Sequence, residues 1–265
     1  MRIFSGLRPA KILLLRRRTL IVLTCLLGAA AIFTAVNLPY AAVSAAATDR
    51  QLPIYCVDCS EKRCAISFDA AWGNEDTALL IKILNDYDVK TTFFVVGDWA
   101  EKYPESVKAL HDAGHEIMSH SAHHDHYNSL STEEIIADCR KANESIAALT
   151  GVTPTLIRCP YGEYDDHVIT AIRSLGMEPI QWDVDSLDWK DLDAAAIFDR
   201  VTEKVCPGSI VLFHNAALHT PAALPSILEH LQSEGYEIVP ISELIIHGEK
   251  DTDYTIDHTG RQFAA

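Results

Sequence analysis

Gly114-His115-Glu116-Ile117-Met118-Ser119-His120-Ser121-Ala122-His123-His124 is the stretch on which the fold turns. A glycine ends one element, a short apolar run reads as a buried strand, and two imidazoles four residues apart stand just beyond it. That spacing predicts a helical turn with both ring nitrogens on one face, able to reach one cation, while the small Ser121 and Ala122 leave room for a ligand. Two histidines are an incomplete site, because a catalytic divalent metal takes about three protein ligands and keeps a position for water. The bland alternative is a histidine-rich surface loop, since His123 and His126 crowd the same stretch.

Outward from this strand, the chain between Cys64 and Ile246 alternates short apolar runs with amphipathic stretches, the pattern of an α/β fold with a parallel sheet and helical crossovers. Strands are predicted near 65–68, 92–96, 116–118, 156–158, 179–182, 209–213 and 237–239. Helices fall near 76–86, 104–113, 132–149, 165–175, 192–205 and 221–234. Ser131 and Glu134 spell a capping box, and Gly114, Gly151, Gly176 and Gly235 stand where helices should stop. Strand–helix units of this number and length point to a closed or nearly closed barrel, with its chemistry at the C-terminal ends of the strands. Asp69 follows the first strand, His120 and His124 the third, Arg158 the fourth, 183–189 the fifth and His214 the sixth. They share one expected rim, which favours a site over a surface loop.

Charge narrows the partners. Six of the 22 basic residues precede Asp49 and no acid does, so the remainder carries 16 basic against 37 acidic side chains, a net of −21. Such a body repels nucleic acid and favours a neutral or cationic substrate. The early charges, ending in Arg16-Arg17-Arg18, precede an apolar run from Leu20 to Val36, long enough to enter a bilayer with the basic end in the cytoplasm and the remainder outside. It reads as an uncleaved anchor, or as a signal removed near Ala45-Ala46-Ala47. The organisation expected is a basic cytoplasmic segment 1–18, a transmembrane or signal helix 19–38, a linker 39–62, a catalytic domain 63–247 and a polar tail 248–265 without periodicity. Of the seven cysteines, Cys56, Cys59 and Cys64 are open to a local disulfide, a small zinc knot or free thiols, and Cys139 packs mid-helix.

Five motifs in order carry a resemblance: Ser67-Phe68-Asp69-Ala70; His120-Ser121-Ala122-His123-His124; Arg158-Cys159-Pro160-Tyr161-Gly162; Asp185-Ser186-Leu187-Asp188-Trp189; and Leu212-Phe213-His214. From about Ala65 to Leu244 the chain resembles the NodB-type polysaccharide deacetylases (carbohydrate esterase family 4), and most closely their PdaB-like, sporulation-associated branch. The resemblance implies a deformed (β/α)7 barrel and a hydrolase acting on carbon–nitrogen bonds other than peptide bonds. It would remove N-acetyl groups from an amino-sugar polymer, peptidoglycan first and chitin-type chains second. It also implies one divalent metal on His120 and His124, zinc first with cobalt or nickel as alternatives. Asp69 would be the base oriented by Arg158, and His214 the acid, its tautomer fixed by Asp188. The Tyr161 backbone N–H would face the oxyanion, with Trp189 and Leu212 walling the acetyl methyl.

The sequence departs from that family at two places. Where the family carries a second Asp as third metal ligand, this chain has Ala70, so Asp69 turns to the metal, water fills the place, or the site works without metal or not at all. Cys159 stands where proline is usual, as a packing residue or a thiol open to oxidation or metal. The expected protein is thus an extracytoplasmic deacetylase with a monomeric catalytic domain, membrane-held through its N-terminal helix, with a cell-wall glycan as partner. A metal-independent C–N hydrolase on a small amide, and a non-catalytic envelope glycan-binding protein, are the alternatives.

Overall fold

A computed structural model describes residues 50–265; the expected anchor or signal at 19–38 lies outside them. Among the described residues no helix is long and apolar enough to cross a membrane. Residues 51–265 form one compact unit, whose first strand is the two-residue Cys56–Val57.

The central strand is β2 (Arg63–Ala70), preceded by the two-residue β1 (Cys56–Val57). It is joined by β3 (Thr92–Val95), β4 (Glu116–Ser119), β5 (Leu156–Ile157), β6 (Glu178–Pro179), β7 (Val184–Asp185), β8 (Ile210–His214) and β9 (Glu237–Ile238). The sheet runs β6-β5-β4-β3-β2-β8-β7, with β9 also on β2, and each of these pairings is parallel. The path ends on β6 and β7, which do not pair with each other among the described residues, so the predicted barrel is a curled sheet left open there. The reason lies in 179–182, expected as one strand. It stays on β5 as far as the Ile180 N–H, which donates to the Ile157 carbonyl at 2.8 Å, then turns to Ile54, and the chain re-enters as the unpredicted β7 beside β8.

Alternation of side chains along β2 divides the core. Ile66 and Phe68 join Phe93, Val211 and Phe213 between the sheet and its helices. The Phe68 ring stacks on Phe93 at 4.8 Å and on Phe213 at 5.7 Å. Ala65 faces the other way, with Phe94, Met118, Leu156 and Ile210 inside the curl. Ser67 and Asp69 alternate with Ile66 and Phe68 on that inner face, and Asp69 is left at the strand's C-terminal end.

Helices close the outer face. Four of those that follow strands of the curl are α1 (Thr77–Asp86) after β2, α2 (Gly97–Lys102) after β3, α3 (Pro104–Asp112) before β4 and α4 (Thr132–Thr150) after it. The Ser131–Glu134 capping box forms at the start of α4, and Gly151 ends it in the left-handed region at φ 75°. Within α4, Cys139 is fully buried, and burial pushes its thiol up to about 11. Cys159 is 2% exposed with its thiol likewise raised by burial, which fits packing rather than redox chemistry. All six described cysteines are free.

The last residues, read from sequence as a polar tail, form β10 (Tyr254–Ile256) and β11 (Arg261–Ala264), and β11 pairs with β1. Gln262, fully buried, exchanges both amide atoms with the backbone of Ile246, at 2.8 and 2.7 Å. Gly208 makes the crossing of β1 and β8 feasible: at φ 86°, a Cβ there would lie 1.8 Å from the Val57 carbonyl oxygen.

Candidate active site

At the C-terminal ends of the strands, one cavity of about 440 Å³ is lined by Asp69, Trp72, His120, His124, Tyr161, Gly162, Trp182, Asp185, Trp189, Leu212 and His214. Seven of the nine residues singled out from sequence line it directly. The other two, Arg158 and Asp188, lie beneath, each bonded to one that does.

Asp69 ends the inner row of β2 and is 4% exposed. Arg158, fully buried, donates from Nη1 to Asp69 Oδ1 at 2.8 Å and to Ser67 Oγ at 2.9 Å, and from Nη2 to the Gln181 carbonyl at 3.1 Å. Its guanidinium lies over the Phe94 ring at 4.3 Å. Burial pushes the Asp69 carboxyl up, but the Arg158 charge and hydrogen bond outweigh it and hold the group below the ordinary carboxylate range. Asp69 is therefore an ionised, anchored carboxylate.

His214 pairs with Asp69 across the β2–β8 ladder. Its Nδ1 donates to Asp188 Oδ1 at 2.8 Å, and its backbone N–H to Asp188 Oδ2 at 2.8 Å. The Thr220 hydroxyl donates to the same Oδ2 at 2.7 Å. Burial works against the imidazolium, yet the Asp188 hydrogen bond and the Asp69 charge raise the His214 pKa above its ordinary value.

His120 and His124 meet by a route the sequence did not suggest. Residues 120–126 form an irregular loop rather than a helical turn, with Ser121 at φ 73° and His124 at φ 60°. The Ser121 hydroxyl accepts from the His124 N–H at 2.8 Å and holds the bend. The rings lie 4.9 Å apart. Burial lowers both pKa values, that of His124 to about 4, so both are neutral imidazoles.

These residues bear on the implied metal. His120 Nδ1 lies 2.7 Å from the Arg158 carbonyl, to which it must donate. The lone pair of its neutral ring is then on Nε2, 3.6 Å from Asp69 Oδ2. Two acceptors facing each other at that distance need a positive centre or donated hydrogens between them. Neighbouring ligands on one tetrahedral zinc stand about 3.4 Å apart for bonds of about 2.1 Å, so the donor chemistry fits a cation on His120 and His124 with Asp69 opposite. Among the described residues no ready-made group of three ligating side chains converges. Ala70 does not line the cavity. It is fully buried and packs in the outer layer with Phe68 and Val95, the face away from Asp69.

Tyr161 occupies the tight turn Pro160–Gly162 at φ 60°, ψ 5°, a left-handed conformation costly for a residue with a Cβ. Its ring meets His124 edge-on at 4.6 Å and stacks on His126 at 4.1 Å. Asp183, counted from sequence with the rim, lies at the opposite end of the sheet, accepting from Ser209 Oγ and Ile210 N, each at 2.8 Å; the rim begins at Asp185. Trp72 and Trp182 also form the wall, and neither carries a pattern in the sequence that marks it as functional. The motif around Asp69 contains Trp72, and only its place beside that residue could have drawn notice.

The family model for polysaccharide deacetylases matches residues 57–180. The chain is 36% identical over 191 residues to the peptidoglycan-N-acetylglucosamine deacetylase PgdA of Listeria monocytogenes, covering 72% of this chain and 40% of PgdA. It thus spans well under half the length of that relative. The solved structure of the peptidoglycan deacetylase PdaC from Bacillus subtilis matches at TM-score 0.64 and 32% identity, over 71% of this chain and 92% of that one. Wild-type BA3943, a CE4 family pseudoenzyme from Bacillus anthracis, matches at TM-score 0.70 and 34% identity, over 72% and 68%. A BA3943 mutant with restored enzymatic activity matches at the same TM-score of 0.70 and 35% identity, over 72% and 70%.

Proposed function

The chain belongs to the polysaccharide deacetylase family, and on that premise we propose that it removes N-acetyl groups from a cell-wall amino-sugar polymer outside the cytoplasm, peptidoglycan before chitin-type chains. The names of PgdA and PdaC, both peptidoglycan deacetylases, support the substrate class. The observation that carries the reading is the side-by-side pair Asp69 and His214, the first held ionised by Arg158 and the second bonded through Nδ1 to Asp188, which raises its pKa.

A divalent cation held by His120 and His124, zinc before cobalt or nickel, would supply positive charge beside the acetyl carbonyl. Asp69 Oδ2, facing the cavity while Oδ1 is tied to Arg158, takes the proton of the attacking water. His214 donates from Nε2 to the departing amine, because its Nδ1–H is committed to Asp188. The Tyr161 backbone N–H donates to the developing oxyanion, while Trp189 and Leu212 exclude water around the acetyl methyl. The acidic body suits a polymer that is neutral before the reaction and gains positive amines in it. The segment at 19–38 would hold the catalytic domain at the outer face of the membrane.

Ala70 favours a second reading, a non-catalytic glycan-binding member of the family. The usual second carboxylate is missing, and the similar BA3943 is a pseudoenzyme in its wild-type form. Acetate release from N-acetylglucosamine oligomers and from purified peptidoglycan, with and without chelator, separates the two. Release that is lost in His120→Ala supports the enzyme, whereas glycan binding without release supports the binder.

A further inference from the structure

We propose that Trp72 is a fixed platform on which a sugar ring of the substrate stacks, held in place by the side-chain amide of Asn215. The ligand's identity as an amino-sugar chain rests on the reading above; the platform rests on the geometry of the loop.

Trp72 is 59% exposed, yet the backbone on both sides of it is tied down. Ala71 N–H donates to Asn215 Oδ1 at 3.2 Å, and Asn215 Nδ2 donates to the Gly73 carbonyl, so one buried amide grips the chain before and after the indole. The Trp99 indole N–H donates to the same Gly73 carbonyl at 3.0 Å. Asn215 is itself fixed by its N–H on the Asp69 carbonyl at 3.1 Å, and the next residue, Ala216, donates to Asp76 Oδ2 at 2.8 Å. Ordering a loop this firmly costs conformational entropy, and leaving more than half of a large apolar ring on it in solvent returns little within the folded chain. A pre-ordered exposed ring lowers the cost of binding something external.

The ring's position says what it meets. Its centroid lies 5.7 Å from that of His124 and 6.4 Å from that of His214, so it borders the cavity between the imidazole beside the acyl site and the one that serves the leaving amine. Tyr161 and Trp189, 57% and 55% exposed, stand elsewhere around the same mouth. A β-linked pyranose offers a flat face of C–H groups, weakly positive and apolar, which suits the negative face of an indole. A ring seated on Trp72 holds its acetamido group over Asp69 and His214. The covered apolar area is worth about tenfold in affinity.

The test uses the full-length protein and an N-acetylglucosamine tetramer, with kinetics and calorimetric titration run separately. Trp72→Ala should raise KM and Kd about tenfold with kcat changed less than about threefold. Trp72→Phe should keep most of the affinity, and Val152→Ala, at an exposed apolar position away from the cavity, should change neither. Unaltered tetramer affinity in Trp72→Ala overturns the platform, as does a wild type that neither binds nor cleaves the tetramer. If wild type binds without releasing acetate, the deacetylase reading fails alone, and a tenfold weaker Kd in Trp72→Ala still supports the platform.

Discussion

Replacing Arg158 with methionine tests the electrostatic logic of the site. The guanidinium is fully buried, ion-paired to Asp69, bonded to Ser67 and Gln181, and laid on Phe94. Methionine keeps most of the apolar volume and removes the charge, leaving a carboxylate that is 4% exposed without its partner. Breaking one side of a buried pair costs about 3–5 kcal/mol. Against a total of about 5–15 kcal/mol for an ordinary domain, the variant folds but with little reserve. Because the wild-type Asp69 pKa is depressed, the pair contributes stability above the ordinary carboxylate pKa and loses it as pH falls through the folded value. In Arg158→Met burial acts with far less opposition and the pKa rises. The destabilisation should then be small in acid, where Asp69 is protonated in the variant, and should grow toward neutral pH. Urea unfolding followed by tryptophan fluorescence at several pH values, in chelator, measures it. Asp69→Asn in the Arg158→Met background should recover much of the loss. A penalty under about 1 kcal/mol at neutral pH, or one independent of pH, would refute the reasoning.

Asp188→Asn removes the main interaction that raises the His214 pKa, so the alkaline limb of the rate profile should move to lower pH, with kcat at pH 8 down about 100-fold; an unmoved limb would count against His214 as the acid. The same shift has a stability side: a raised His214 pKa stabilises the wild type below the ordinary imidazole value, and that contribution is lost as pH rises through the folded one. Ala70→Asp places a carboxylate in the outer apolar layer, from which it escapes only by turning the end of β2 toward His120 and His124. We expect a loss of about 2–4 kcal/mol in chelator, partly restored by zinc, and a loss that zinc leaves unchanged would show that the strand end cannot turn. Ser131→Ala removes the capping box of α4 and should lower stability by about 1 kcal/mol in thermal unfolding without altering turnover.

What the sequence disclosed was local. The capping box needs only Ser131 and Glu134, three residues apart, and its signal became the observed cap. Apolar runs ending in Asp69, Ser119 and His214 disclosed the strands of the rim, because burial on both faces of a parallel sheet demands such runs. The two-residue strands β6 and β7 carry no periodicity, so the opening of the curl between them was illegible. Gln262 reads as a surface residue by composition, and its burial depends on meeting Ile246 in a turned-back chain. The clamp on Trp72 joins residues 144 positions apart, a pairing that no local pattern encodes.

The chemistry depends on a feature that belongs to the fold and to the site together, the register of β2 against β8. Asp69 is paired with His214, Phe68 with Phe213 and Ser67 with Leu212. Side chains alternate between faces, so a slip of one residue would send Asp69 into the phenylalanine layer and Phe68 into the cavity. The stacked rings of Phe93, Phe68 and Phe213 resist that slip from outside, and the Ser67 hydroxyl, donating to the Val211 carbonyl at 2.8 Å, resists it from inside. The same Ser67 oxygen accepts from Arg158, which orients Asp69. One hydroxyl therefore ties the strand register to the placement of the base, and packing that stabilises the sheet also sets Asp69 beside His214.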